Sequence, residues 1–343
     1  SQTFMKIRIG ILSLASWLTF NASAQQDKHF NMFAESPVYL NPAAAGFFPG
    51  SMQLFTNFRM QWLPVSDTPY RTISAASDWR LFDNGSFMGM GVNFYNDYGG
   101  TSGYMTNEVT VPINYAIEIN RDNHFSIGLQ PAWYQRTITN ENLTWDNQWT
   151  GTEFNTSYDP NELLLNENMN LSKFDISAGA YWYAHISKQT KLSFGLAGHH
   201  LSKQKINFMS AEEKLYRKLT LHGQCEFKKQ NSGLSFIPAF YGFLQGPNKE
   251  LTIGSNFRYV VRGSSRVTGY FNEMAISFGT YYRIGDALLA NFIFDVSGFS
   301  VGVAYDLNIS KLIISTGGFG GFEAFLRYRV QFGNGGLGNP SIH

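Results

Sequence analysis

From Ser51 onward the chain alternates apolar and polar residues in short blocks. Met88, Met90, Val92 and Phe94 share one face of such a block, and Phe125, Ile127, Leu129 and Trp133 share one of another. Phe174, Ile176, Ala178, Ala180 and Trp182 alternate with Asp175, Ser177, Gly179 and Tyr181; Leu192, Phe194 and Leu196 oppose Ser193, Gly195 and Ala197. Phe299, Val301, Val303 and Tyr305 oppose Ser300, Gly302, Ala304 and Asp306. Successive side chains of a strand point to opposite faces, so each block has one apolar wall and one small or polar wall. About a dozen such blocks in succession, with no helical period between them, are read as strands. Their bounds fall near 51–61, 70–81, 86–97, 105–118, 123–138, 173–186, 190–201, 216–228, 232–241, 250–262, 273–283, 287–295, 298–306 and 321–332. The fold this predicts is all-β, a transmembrane outer-membrane β-barrel of about fourteen antiparallel strands.

The last block, Phe322–Phe332, sets Phe322, Ala324, Leu326, Tyr328, Val330 and Phe332 against Glu323, Arg327, Arg329 and Gln331. It is the strand expected to close the barrel, with Phe322, Tyr328 and Phe332 as its closing residues. The Gly-rich tail 333–343 that follows it reads as mobile. Connections sort by length. Asp83–Gly85, Asn120–Asn123, Ser187–Thr190 and Lys229–Ser232 are short, and Leu63–Pro69, Tyr98–Gly103, Thr139–Ser172 and Ser202–Leu215 are long. Short periplasmic turns opposite longer outer loops are the habit of such barrels. Arg262–Asn272 and Ile284–Asp286 break the alternation.

Ahead of the first strand, Met5–Arg8 supplies a positive region, Ile9–Phe20 an apolar core and Ala22–Ala24 a small-residue cleavage site. Residues 1–24 therefore read as a secretory signal peptide, with residues 1–4 as extra residues ahead of the expected initiator Met5. No cysteine follows that site, which excludes a lipoprotein anchor, and no later apolar run is long enough for a spanning helix. Residues 25–50 do not alternate. Their stretch Ser36–Gly46 holds two prolines and a run of small residues, so it reads as ordered coil, either a leader to the first strand or a segment packing into the barrel mouth. The barrel itself is placed at 51–332.

Composition sharpens this picture in two respects. Aromatic residues make up 16% and charged residues only 15%, yet the mean hydropathy is −0.20. That value is too polar for a helical membrane protein and suits a wall with one face in lipid and one on a polar lumen. The net charge of +1 gives no sign of a nucleic-acid partner. Cys225 is the lone cysteine, so there is no disulfide framework or cysteine-based zinc site.

Candidate chemistry is thin. His199 and His200 are adjacent, so on a strand they face opposite ways and do not bind one metal as a pair. His222 lies on a polar face with Gln224 and Glu226, and neither a Gly-x-Ser-x-Gly elbow nor a His-Glu-x-x-His helix is present. No catalytic, cofactor or metal residue is assigned. Arg258, Arg283, Arg327 and Arg329, with Glu323 and Asp306, lie on polar faces, where they could select anions or simply fill the lumen. The tryptophans Trp62, Trp79, Trp133 and Trp182 read as interface girdles. The long 139–172 connection, with Trp145, Asp146, Trp149, Asp159, Glu162 and Glu167, is a binding loop or lid, or a solvated excursion.

Three stretches carry a family likeness: Tyr39-Leu-Asn-Pro-Ala-Ala-Ala-Gly46 followed by Arg59-Met-Gln-Trp62; His200-Leu-Ser with Lys218–Gly223; and Val303–Asp306 followed by Glu323 in the last strand. On these the chain resembles the PorP/SprF family of outer-membrane proteins of the Bacteroidetes type IX secretion and gliding motility system. The family's last strand usually opens on His-Glu, where this chain has Phe322 before Glu323. The resemblance implies a non-enzymatic barrel in outer-membrane lipid that supports secretion or surface attachment of particular substrates such as adhesins. It also implies a link to periplasmic machinery that includes a peptidoglycan-binding lipoprotein. The surfaces expected to meet a partner are Tyr39, Leu40, Asn41, Pro42, Ala43 and Gly46 of the coil, with Trp145 and Trp149 of the long loop. The rival readings are a porin or small-solute channel, and a membrane-embedded hydrolase using His199, His200 or His222.

Overall fold

The computed structural model describes residues 27, 29–61, 68–100, 103–138, 144–155, 157–158, 170–202, 215–263, 273–310 and 317–331. The segment read as a signal peptide, Trp62, Phe332, the tail 333–343 and much of 139–172 lie outside them. The alternating blocks form strands β1 (Met52–Gln61), β2 (Tyr70–Asn84), β3 (Ser86–Gly99), β4 (Tyr104–Thr110), β5 (Ile113–Asn120), β6 (Asn123–Thr137), β7 (Asn170–Ser187) and β8 (Thr190–His199). The wall continues with β9 (Lys218–Lys228), β10 (Leu234–Gln245), β11 (Asn248–Arg262), β12 (Met274–Arg283), β13 (Ala287–Val296), β14 (Phe299–Asn308) and β15 (Phe319–Val330). Each pairs antiparallel with its neighbours, and β15 pairs back onto β1 from Met52 opposite Val330 to Gln61 opposite Gly321, which closes the sheet.

β4 and β5 are two halves of one stave. Both lie between β3 and β6, and the break falls at Val111–Pro112. Proline has no N–H to give a ladder and sits in sheets at bulges. The ladder is kept across the break because Gly91 N–H donates to Pro112 O at 2.9 Å and Val111 N–H to Pro131 O at 3.0 Å. The wall is therefore a closed antiparallel barrel of 14 strands.

Burial follows the predicted alternation. Phe322 and Leu326 are exposed on the outer face while Glu323, Phe325 and Arg327 are buried inside, and Phe299 and Val301 lie outside while Ser300 and Asp306 lie inside. The outer face is apolar because lipid offers nothing to a polar group, and closure leaves no strand edge unpaired. Phe322 and Tyr328 stand on this outer face of β15, with Tyr328 stacked on Phe299 of β14 at 4.1 Å between centroids. The strand ends place residues 85, 121–122, 188–189, 229–233 and 297–298 at one end of the barrel, together with the start of β1 and the end of β15. The connection 263–273 is also at this end, and 246–247 and 284–286 are short connections at the other.

The coil ahead of β1 runs through the lumen. Asp27 lies at the long-loop end, beside His200, Lys218 and Gln245. Ser51 lies at the short-turn end, where its N–H donates to Val330 O at 2.8 Å. Between them the coil makes three short 3-10 turns at Phe33–Glu35, Pro37–Tyr39 and Pro42–Ala44.

Candidate functional site

Glycines on the inner faces of four strands form a seat for the coil. A Cβ on Gly89 would fall 2.1 Å from Ala45 O, one on Gly128 2.6 Å from Ala43 N, and one on Gly179 2.0 Å from Asn41 Oδ1. On Gly195 it would fall 2.7 Å from Asn41 Nδ2. Backbone approaches backbone this closely only where both sides are small, which accounts for the Ala43–Gly46 run in the coil and for glycine opposite it.

Hydrogen bonds fix the register of this packing. Asn41 Oδ1 accepts from Ala43 N–H at 2.9 Å, capping the Pro42–Ala44 turn, and its Nδ2 donates to Ala180 O at 2.8 Å and Leu196 O at 3.3 Å. Asn114 Nδ2 donates to Ala43 O and Ala45 O at 2.6 and 2.8 Å. Arg80 donates to Gly46 O and Phe48 O, each at 2.7 Å, and its guanidinium lies 4.6 Å over the Phe87 ring. Thr220 donates to Leu40 O at 3.0 Å. A coil has no ladder of its own, so its buried carbonyls and N–H groups must be met from outside it, and the wall supplies the partners.

A second set of contacts holds the coil nearer its N-terminal side. Glu323 accepts from Asn31 N–H at 2.6 Å, Met32 N–H at 3.1 Å and Asn57 Nδ2 at 2.9 Å. Asn31 also donates to Asp306 at 3.2 Å and accepts from Arg283 at 2.7 Å, and Arg59 donates to His29 O. Arg327 pairs with Glu35 at 2.6 Å, Arg59 with Asp306 at 3.3 Å, and Arg283 with Asp286 at 3.0 Å. All of the arginines and carboxylates singled out in the sequence except Arg329 therefore pair with opposite charges or bind the coil. The expectation of a cation-lined, anion-selecting lumen gives way to the other reading, a mixed network that fills it. Arg258 belongs to the same network through Glu273 and Asp295, and Arg329 donates to Gln53 at 2.8 Å.

The histidines are also used structurally. His199 lies between Ser177 Oγ at 3.2 Å and Leu40 O at 3.1 Å, a second tie to the coil. His200 was expected to face away from His199. Instead β8 ends at His199, and His200 takes a φ of +58°, a left-handed conformation uncommon for a residue with a Cβ. That turn brings its ring inward between Asp175 at 2.6 Å and Asp27 at 2.7 Å. Burial would depress His200, but the two carboxylates outweigh it and raise it to about 10. Burial would raise Asp27, and His200 with Lys218 holds it well below the usual carboxylate range. His29 is pushed well down by burial and by Arg283, Arg59 and Lys218 around it. His222 stacks on Tyr181 at 5.8 Å.

Of the residues expected to meet a partner, Leu40, Asn41, Pro42, Ala43 and Gly46 are buried in the lumen and Tyr39 packs against Phe55 of β1. A seated coil offers them to the wall rather than to an outside protein. The described part of the long loop is different. Trp149 pairs with Phe154, ring centroids 4.9 Å apart, and Trp149, Phe154 and Tyr158 are about half exposed at the loop end, with Trp145 beside them. The residues missed in the sequence are Asp27, Arg59, Arg80, Asn114, Asp78, which accepts from Gly46 N–H at 3.1 Å, and Glu250, which lies 3.5 Å from His29 and 3.6 Å from Arg283. Apart from Asp27, which lies in the coil, their signal was a charge or amide on the inward face of a strand opposite an apolar outer face.

A cavity of about 360 Å³ remains between the coil and the wall, bounded by β3, β4, β6 and β7 to β10 toward the long-loop end. Asp27, Phe30, Asn93, Gln130, Tyr134 and His200 are among its lining residues.

The family model described as type IX secretion system membrane protein PorP/SprF matches residues 22–328. No curated protein matches the sequence. Among solved structures the chain is similar to the toluene transporter TbuX of Ralstonia pickettii, at 12% identity and a TM-score of 0.49 over 87% of this chain and 93% of that one. It is also similar to the CymD monoaromatic hydrocarbon channel, at 9% identity and a TM-score of 0.48 over 90% and 95%. The Pseudomonas putida toluene transporter TodX follows at 8% and 0.44 over 88% and 93%.

Proposed function

The chain belongs to the PorP/SprF family of type IX secretion system membrane proteins, and from that premise we propose that it is a non-enzymatic accessory barrel of the outer membrane, plugged by its own coil, that supports secretion or surface attachment of specific substrates such as adhesins. The observation that carries the plugged reading is the coil of residues 29–50, tied to β1, β2, β5, β7, β8 and β15 by the contacts of Glu323, Arg59, Arg80, Asn114, Asn41 and His199. A lumen filled this way and neutralised within itself suits a docking component better than a solute path. The half-exposed aromatic trio of the long loop is the outward surface available to a secreted substrate. Both strand termini of the wall lie at the short-turn end, where the periplasmic machinery, including a peptidoglycan-binding lipoprotein, would meet it. His199, His200 and His222 are engaged by the coil, by carboxylates and by Tyr181, which speaks against the hydrolase reading.

Deleting the gene and profiling surface proteins is the test. The expected result is loss of one or a few secreted proteins with small-solute uptake unchanged. An unchanged surface proteome with lost solute uptake, together with clear conductance of the native protein in planar bilayers, would instead establish the channel reading.

A further inference from the structure

The cavity beside the coil is built unevenly. On one wall stand four buried polar atoms that no group among the described residues meets: Asn93 Oδ1, Gln130 Oε1, Tyr134 Oη and Arg136 Nε. Asn93, Gln130 and Tyr134 are 3%, 7% and 5% exposed, and all four residues line the cavity. A buried polar group left unmet loses its hydration with nothing in return, so four on one wall are not an arrangement that folding alone favours. The charged groups nearby are differently placed. Asp27, Asp175, His200 and Lys218 bind one another, and Asp97 accepts from Thr72 at 2.6 Å. On the coil side Phe30 sits between Tyr39 and Tyr95, with ring centroids 5.5 and 5.9 Å away, giving an aromatic surface.

These features select a ligand by its chemistry. Two amide carbonyls require donors, one guanidinium N–H requires an acceptor, and a phenol takes either role. A hydrocarbon would leave all four unmet, and a simple anion would face the two carbonyl oxygens. A ligand with several hydroxyls, each both donor and acceptor, and with a C–H face to lie on the aromatic rings meets both walls. The volume is at the small end of the roughly 300–1,000 Å³ usual for small-molecule pockets. We propose that this cavity binds a neutral saccharide of one or two pyranose rings, hydrogen-bonded by Asn93, Gln130, Tyr134 and Arg136 and resting on the Phe30–Tyr39–Tyr95 rings. The site is independent of the secretion reading.

The test is saturation-transfer NMR on the full protein in lipid nanodiscs. One arm uses free glucose, galactose, mannose, N-acetylglucosamine, maltose and lactose; the other uses lipopolysaccharide in the same discs. Transfer to sugar ring protons is expected in at least one arm, and the arm identifies a free or a lipid-borne source. Tyr134→Phe and Gln130→Leu should each weaken binding at least tenfold. They should leave heat stability intact, since Tyr134 Oη and Gln130 Oε1 have no partner among the described residues, and Lys229→Ala, exposed at the short-turn end, should change nothing. No transfer in either arm overturns the proposal. So does undiminished binding in both variants, or a high-resolution structure at saturating sugar with only ordered water on the four atoms. A loss of stability in Tyr134→Phe would show that the hydroxyl is needed by the fold and would overturn it too.

Discussion

Replacing Asn41 by alanine isolates the coil from the barrel that contains it. The side chain is fully buried and makes three hydrogen bonds, one to Ala43 N–H and two to the carbonyls of Ala180 and Leu196. Each is worth about 1 kcal/mol net, and leaving Ala43 N–H unmet in the lumen adds about 1 kcal/mol more, so the variant should loosen the coil by about 4 kcal/mol. The wall loses nothing of its own, because the ladder between β7 and β8 runs through the pairs Ala178 with Gly198 to Ser187 with Thr190. Hydrogen exchange read by mass spectrometry in nanodiscs separates the two. If the coil amides exchange by leaving their seat, about 4 kcal/mol is roughly a thousandfold loss of protection, at Ala43 to Phe47 and not in the strands. Asn41→Asp keeps the acceptor but sets a carboxylate against two carbonyl oxygens, and should release the coil at least as far. Protection within tenfold of the native protein in Asn41→Ala would mean that this side chain does not hold the coil, and the argument from its geometry would fail.

Gly128→Val puts a Cβ 2.6 Å from Ala43 N and 2.7 Å from Ala43 Cα, so it should unseat the coil and give conductance in planar bilayers. Gly198→Ala, whose Cβ meets only Leu201 at 3.4 Å, should stay silent, and equal behaviour of the two would refute the seat. Glu323→Gln removes a charged acceptor shared by Asn31 and Met32 N–H, and at about 1.5–3 kcal/mol per such bond it should cost roughly 3 kcal/mol of protection at those amides. Unchanged exchange at Asn31 and Met32 would show that the carboxylate is not their anchor. The tie from His200 to Asp27 is pH-dependent with a definite sign. His200 is raised from 6.5 to about 10, so its contribution is full below pH 6.5 and is lost as pH rises toward 10; Asp27 is lowered, so its own is present above 3.8 and lost in acid. Protection near residues 29–32 should therefore fall from pH 6.5 to 10 in the native protein and be flat in His200→Gln, and an identical slope in both would sink the assignment.

The wall was legible because its physics is local. Alternation alone placed each stave, including Phe322–Val330, since a strand facing lipid on one side and lumen on the other must repeat every two residues. The Val111–Pro112 break was not foreseen, because flanking residues alternate on both sides of it and only the missing proline N–H marks it. His200 was placed on the wrong face for a related reason. Period-2 counting assumes that the strand continues, and a positive φ at one residue ends it. The coil's place was beyond local reading. Its proline-rich, small-residue run shows order without period, and the matching glycines, Gly89, Gly128, Gly179 and Gly195, are spread over four strands, each of which reads alone as an ordinary small inward position. Only the folded sheet brings those positions to one height.

The closing strand and the coil depend on each other, and this can be measured. Phe325 of β15 stacks on Phe55 of β1 at 5.4 Å across the seam, and both pack in one cluster with Met32 and Tyr39 of the coil. Glu323 binds Asn57 across the same seam while holding Asn31 and Met32. An open seam would therefore disturb the anchors of the coil at Glu323 and Arg59, and an unseated coil would leave a gap behind the seam. Phe325 and Asn41 share no contact: one is on β15, and the other is bound by β7 and β8. Independent sites add within about 0.3–0.5 kcal/mol. If the coil transmits between them, a double-mutant cycle of Phe325→Leu and Asn41→Ala should show a coupling of about 1 kcal/mol or more, with the double variant less destabilised than the sum, because a coil released at one point has already surrendered its contacts at the other. The readout is exchange at the β1 amides that bond β15. Strict additivity would mean that the barrel closes without reference to its plug.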